Sequence, residues 1–141
     1  MATPGRFAGR AVVSVDDLDH TAHAHEVEGV DLGEGDVPFS VILVHGRPGT
    51  GPRVHRHPYP EVFVVEAGEA TFRLGDETLV VGGGHVVVSP SGVPHGFVNS
   101  GPGELRLVAI HGASRFATEW LEGVDPAWAT RPPVEGPGPG S

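Results

Sequence analysis

His55-Arg56-His57-Pro58-Tyr59-Pro60-Glu61 is the stretch that decides how this chain folds. Side chains alternate between the two faces of an extended strand, so His55 and His57 project to one side. Glu61 follows, and a third imidazole, His95, arrives within P-S-G-V-P-H-G-F-V-N at 90–99. Three imidazoles and one carboxylate form a nitrogen and oxygen donor set suited to a first-row transition metal. Pro58 and Pro60 cannot donate to a strand ladder, which predicts a bent connection returning Glu61 to the histidines. Together these spacings predict a metal site inside an all-β scaffold.

Outward from that stretch, residues 49–68 read G-T-G-P-R-V-H-R-H-P-Y-P-E-V-F-V-V-E-A-G, and residues 84–99 read G-H-V-V-V-S-P-S-G-V-P-H-G-F-V-N. The first resembles the cupin motif G-x5-H-x-H-x3-E-x6-G, filled by Gly49, His55, His57, Glu61 and Gly68. The second resembles G-x5-P-x-G-x2-H-x3-N, filled by Gly84, Pro90, Gly92, His95 and Asn99. With 22 Gly, 14 Pro, 9 His and a single Asn in the chain, the second pattern arises by chance at roughly one starting position in a million, which removes the usual objection to short motifs. The resemblance covers residues 37–111, with motif strength in 49–99. It implies a double-stranded β-helix, or jelly-roll barrel, holding one divalent transition metal (Fe, Mn, Ni, Cu or Zn) on His55, His57, Glu61 and His95. The spacing between motifs is similar to that of small single-domain cupins, which implies a homodimer. Edge strands from the N-terminal region would then pair or pack across the interface, managing the exposed edges of such a fold.

Bulk properties narrow the partners. At 141 residues the chain is long enough for one domain with one core. A net charge of −9, carried with nine Arg and no Lys, argues against nucleic acid or an anionic membrane as partner. Without cysteine, neither disulfides nor thiolate ligands are available. Apolar runs fall short of membrane-spanning length and Met1–Arg6 lacks a signal-peptide core, so cytoplasmic residence is expected.

Three regions follow from the pattern. Residues 1–36 are a mixed N-terminal extension, partly strand and a candidate dimer-forming element. Residues 37–123 carry repeated short segments rich in β-branched and aromatic residues: 39–45, 61–68, 70–76, 78–84, 85–90, 95–99 and 104–111. Turns are expected at Gly75-Asp76, Gly82–Gly84 and Gly101–Gly103. Ser114 as an N-cap, helix-compatible residues after it and Gly123 as a stop predict a short C-terminal helix over 114–123, docked through Phe116, Trp120 and Leu121. Residues 124–141 are too rich in Pro and Gly to pack, and a disordered tail is expected.

Alternation extends the site beyond its four ligands. An inward Glu61 brings Phe63 and Val65 inward, and an inward His95 brings Phe97 and Asn99, so Phe63, Phe97 and Asn99 are expected along a substrate pocket. Tyr59 and His111 are the candidate catalytic residues. Tyr59 offers a proton donor or loop packing, and His45 and His111 end strands, either as satisfied edge histidines or as hydrogen-bond partners of substrate or ligand. His20, His23 and His25 read as solvated surface and His85 as exposed. Arg53, Arg73 and Arg106 fit either a carboxylate clamp or the outer face. Four donors leave a metal with open positions, which marks catalysis. The first expectation is an oxidoreductase of dioxygenase type acting on a small organic molecule. The alternatives are a non-redox isomerase, cyclase, lyase or decarboxylase with a Lewis-acid metal, and a non-catalytic module that binds a small ligand. One fold and one ligand set serve unrelated chemistries, so these stay open.

Overall fold

The computed structural model describes residues 5–121. Eleven strands alternate between two antiparallel sheets. They are β1 (Asp19–His20), β2 (Ala24–Val27), β3 (Ser40–Gly46), β4 (His55–Arg56), β5 (Glu61–Ala67), β6 (Glu69–Leu74), β7 (Glu77–Gly82), β8 (His85–Ser89), β9 (His95–Asn99), β10 (Leu105–His111) and β11 (Glu119–Trp120). One sheet has the order β1-β2-β3-β10-β5-β8 and the other β11-β4-β9-β6-β7. This is an all-β jelly roll of the double-stranded β-helix type. Short 3-10 turns at Val15–Asp17 and Gly29–Asp31 complete the described elements. No helix among the described residues is long and apolar enough to cross a membrane.

Period-2 alternation decides what enters the core. On β5, Glu61, Phe63 and Val65 are buried while Val62 and Val64 are half-buried on the outer face. On β10, Leu105, Leu107, Ala109 and His111 are buried in the same rhythm. These side chains meet Ala70 and Phe72 of β6 and Phe97 of β9 between the sheets. Phe63, Phe72 and Phe97 form a ring triad with centroids 5.1–5.9 Å apart. Each buried side chain of this size contributes about 1.5–3 kcal/mol, so the triad anchors the floor on which the site stands.

Two motif glycines explain the loops. Gly68 turns between β5 and β6 at φ +92, and a Cβ there would lie 2.6 Å from the Glu104 carbonyl oxygen. Gly92 adopts φ +81 and donates its N–H to the His57 carbonyl at 2.8 Å, tying the loop before β9 to the loop before β5. A side chain at either position would be strained in this left-handed region.

The helix expected over 114–123 is not formed as far as residue 121; residues 122 and 123, like the tail at 124–141, lie outside the described residues. Glu119 and Trp120 instead make β11, antiparallel to Arg56 and His55. Tertiary partners take the backbone groups a helix would use. Phe116 N–H goes to Glu28, Ala117 N–H to Tyr59, and the Ala117 carbonyl to His57. So short a segment gains too little from helical propensity to compete. In the N-terminal extension, β1 and β2 join the six-stranded sheet through β3, and Phe7 and Leu18 are buried.

Candidate metal centre

Strand pairing delivers the donors. His55 on β4 sits directly opposite His95 on β9. Glu61 at the head of β5 sits opposite His111 on β10 and Ser89 on β8. His57 lies in the connection containing Pro58 and Pro60. His55, His57, Glu61 and His95 are all buried, with one ligand atom from each lying within 4.8 Å of the others.

The outer nitrogens fix the tautomers. His55 Nδ1 lies 2.6 Å from the Arg53 carbonyl, His57 Nδ1 2.8 Å from that of Ala117, and His95 Nδ1 2.9 Å from that of Val93. A carbonyl oxygen only accepts, so each Nδ1 carries the proton, and in a neutral ring Nε2 is left as a lone pair. His57 Nε2 and His95 Nε2 both lie 3.0 Å from Glu61 Oε1. His57 Nε2 is buried without any hydrogen-bond partner. Acceptors gathered this closely, away from water, need a cation between them. A divalent metal of nitrogen and oxygen preference satisfies that need, and the outer carbonyls supply the second layer of orientation such ligands require.

His111 differs in kind. Tyr59 Oη accepts the Ala117 N–H at 3.2 Å, leaving its own hydrogen for His111 Nδ1 at 2.8 Å. His111 Nε2 therefore carries the ring proton and donates to Glu61 Oε2 at 3.0 Å. It orients the carboxylate and is not a ligand in this arrangement. Burial pushes the Glu61 carboxyl up, but the N–H that His111 donates leads the opposing contacts, and the carboxyl lies well below its ordinary range. Burial lowers His55 to about 4 despite the Arg53 carbonyl, so its ring is neutral at neutral pH. Burial raises the Tyr59 phenol, keeping it a donor.

A cavity of about 480 Å³ opens onto His55, His57, Glu61 and His111. Phe63 and Phe97 line it as expected, with Ile42, Val44, Leu105 and Ala109. Asn99 does not. Its side chain is fully buried, donating to the Gly46 and Gly103 carbonyls and accepting the Gly101 N–H. The motif asparagine is a turn latch, and its expected place in the pocket is corrected. Arg53 lies over the Trp120 ring and Arg73 bonds the Gly75 carbonyl. Arg106 is exposed on β10, so none of the three is a clamp.

Parts of the wall were unread. Thr21, His23, Glu26, Phe116, Thr118 and Trp120 also line the cavity, coming from the N-terminal ribbon and the last described segment. Ala24 and Glu26 share a face by strand alternation, but nothing local marks that face as inward. His20 and His25 keep to the other face, their rings stacked at 5.3 Å, with His25 3.1 Å from His45.

Comparison with known proteins comes to the same fold. Residues 42–111 match the cupin domain family. No curated protein matches the chain. A protein from Klebsiella pneumoniae with a double-stranded β-helix domain aligns at TM-score 0.63 and 21% identity, over 81% of this chain and 93% of that one. Bacillus subtilis oxalate decarboxylase, described with Mn(II) centres, aligns at 0.63 and 19%, over 72% and 29%. A recombinant oxalate oxidase in complex with glycolate aligns at 0.64 and 20%, over 77% and 62%. The chain thus spans nearly all of the first and under two thirds of the other two.

Proposed function

Residues 42–111 of this chain form a cupin domain, and from that premise we propose a metal-dependent enzyme acting on a small organic molecule, an oxidoreductase of dioxygenase type. One observation carries the reading. Histidine side chains whose outer nitrogens are tied to carbonyls turn their lone pairs on the buried Glu61 carboxylate, at the end of a cavity of about 480 Å³. His55, His57, Glu61 and His95 would hold the metal. A bound divalent metal supplies either oxygen and electron chemistry or Lewis acidity. Phe63 and Phe97 exclude water and orient the apolar part of a substrate. His111, on the cavity wall, holds a proton at Nε2 against Glu61 and accepts the Tyr59 O–H hydrogen bond at Nδ1.

That Tyr59–His111–Glu61 chain favours a second reading, a non-redox isomerase, cyclase, lyase or decarboxylase, because it offers a protonated donor line beside the cavity. The experiment separates the two. Tag-free protein is analysed for bound metal, then for oxygen uptake against chelating phenols and diketones. Uptake that disappears in His57→Ala supports the dioxygenase. Conversion without oxygen supports the second reading. Metal-loaded protein that converts none of these leaves a small-ligand-binding module and overturns the enzyme.

A homodimer is proposed alongside. Val86 and Val88 on the edge strand β8 are 61% and 52% exposed, and a second copy is the occupant expected there. A monomeric mass by light scattering overturns it.

A further inference from the structure

Glu26 and His23 stand on the cavity wall opposite in character to the metal end, and no part of the reading above uses them. We infer that the cavity takes an uncharged, largely apolar molecule whose N–H or O–H donor bonds Glu26, and that it turns away small dianions. This rests on the proposed active site, since it names the substrate class of that same cavity.

Charge carries the first half of the argument. No arginine among the described residues lines the cavity, and the chain has no lysine at all. Three arginines are engaged elsewhere: Arg6 with Asp19, Arg56 with Glu119, Arg53 over Trp120. Two carboxylates, Glu26 and Glu61, face the same space. An entering dianion therefore meets like charge and loses its water without gaining a guanidinium fork. Oxalate would also fill only a small part of about 480 Å³.

Unsatisfied polar atoms carry the second half. The Glu26 carboxylate has no hydrogen-bond partner among the described residues, although its backbone lies in the sheet between β1 and β3. His23 Nδ1 is buried without a partner. His23 lies in the turn between β1 and β2 and Glu26 on β2 opposite Asp19, while Ile42, Val44, Phe63, Phe97, Leu105 and Phe116 supply apolar surface to the same cavity. A mostly apolar cavity with a few convergent polar groups orients a ligand by those groups. Here the polar end calls for a donor. Burial and the charges of Asp19 and Glu28 raise the Glu26 carboxyl, which agrees with a site that gains from receiving a neutral donor.

The test uses matched probes of one shape: 2-naphthylmethanol, 2-naphthoate and, separately, oxalate, titrated by calorimetry into tag-free protein. Zinc-loaded and chelator-stripped forms are both measured, so a chain that binds no metal sinks the enzyme reading without deciding this one. In the stripped form the alcohol is expected to bind about tenfold more tightly than the naphthoate. In both forms Glu26→Gln moves the alcohol-to-naphthoate ratio toward the naphthoate by a similar factor, and Glu26→Asp restores it. The inference is overturned if Glu26→Gln leaves the ratio unchanged, or if oxalate binds the zinc-loaded form as tightly as the alcohol.

Discussion

The two ends of the cavity are built in opposite ways. At the Glu61 end the donors are buried, and each ligand imidazole is held from behind by a main-chain carbonyl. At the Glu26 end a short ribbon, β1 and β2, offers half-buried side chains with unpartnered polar atoms. The first end is preorganised before anything binds. The second is joined to the sheet through β3 but leaves His23 Nδ1 without a partner. The difference sets the groups that would hold a cation apart from those that would meet the rest of a substrate.

The hardest blow to that contrast is His57→Ala. Changing a residue behind a metal ligand costs about 10–100-fold in affinity; losing the ligand itself is expected to exceed the upper figure, read by competition with a chelating dye. Acid attacks the same end. The His55 pKa is depressed in the folded protein, from 6.5 to about 4, so the unfolded chain binds the extra proton between those values. Stability of the stripped protein is then complete above pH 6.5 and falls as pH drops toward 4, by about 3 kcal/mol for this group. The depressed Glu61 carboxyl acts in the same direction at lower pH. Urea titrations across this window check it, and a flat profile breaks the claim that His55 is buried and uncharged.

Asn99→Ala asks whether the contrast survives loss of a latch. Two carbonyls and an N–H lose their buried partner, a cost of about 2 kcal/mol, with probe binding at the Glu26 end unchanged. Tyr59→Phe is smaller still. It frees His111 Nδ1 and the Ala117 N–H yet leaves all four ligands in place, so metal affinity falls by less than the ~10–100-fold of a residue directly behind a ligand, while turnover falls further. An affinity loss as large as that of His57→Ala would make Tyr59 part of the metal end itself.

The metal end was legible in sequence because its requirements are local. Gly68 and Gly92 mark backbone that only glycine adopts easily, and the carbonyls behind His55 and His95 belong to Arg53 and Val93, each two residues earlier. His111 was half legible. The rhythm Leu105, Leu107, Ala109 turns it inward, but its partners Tyr59 and Glu61 are fixed only by strand register. Asn99 was placed on the correct strand and given the wrong task, since inward parity does not distinguish a pocket from a turn. The Glu26 end was illegible. Its ribbon has no apolar alternation, and the 119–120 strand is held by partners distant in sequence: Glu119 by Arg56, Trp120 by the His55 ring, and Ala117 before it by His57 and Tyr59.

One latch has a wider reach. The carbonyl that sets the His57 tautomer belongs to Ala117, sixty residues away, so any side chain at that position would serve as well. Mutational drift can change the side chain at 117 without moving that carbonyl, whereas its neighbours are tied to the site: Thr118 Oγ1 lies 3.3 Å from His57 Nδ1, and the Trp120 ring lies 4.9 Å from that of His55. A change at Thr118 or Trp120 on the cavity wall therefore reaches the donor histidines as well as any substrate.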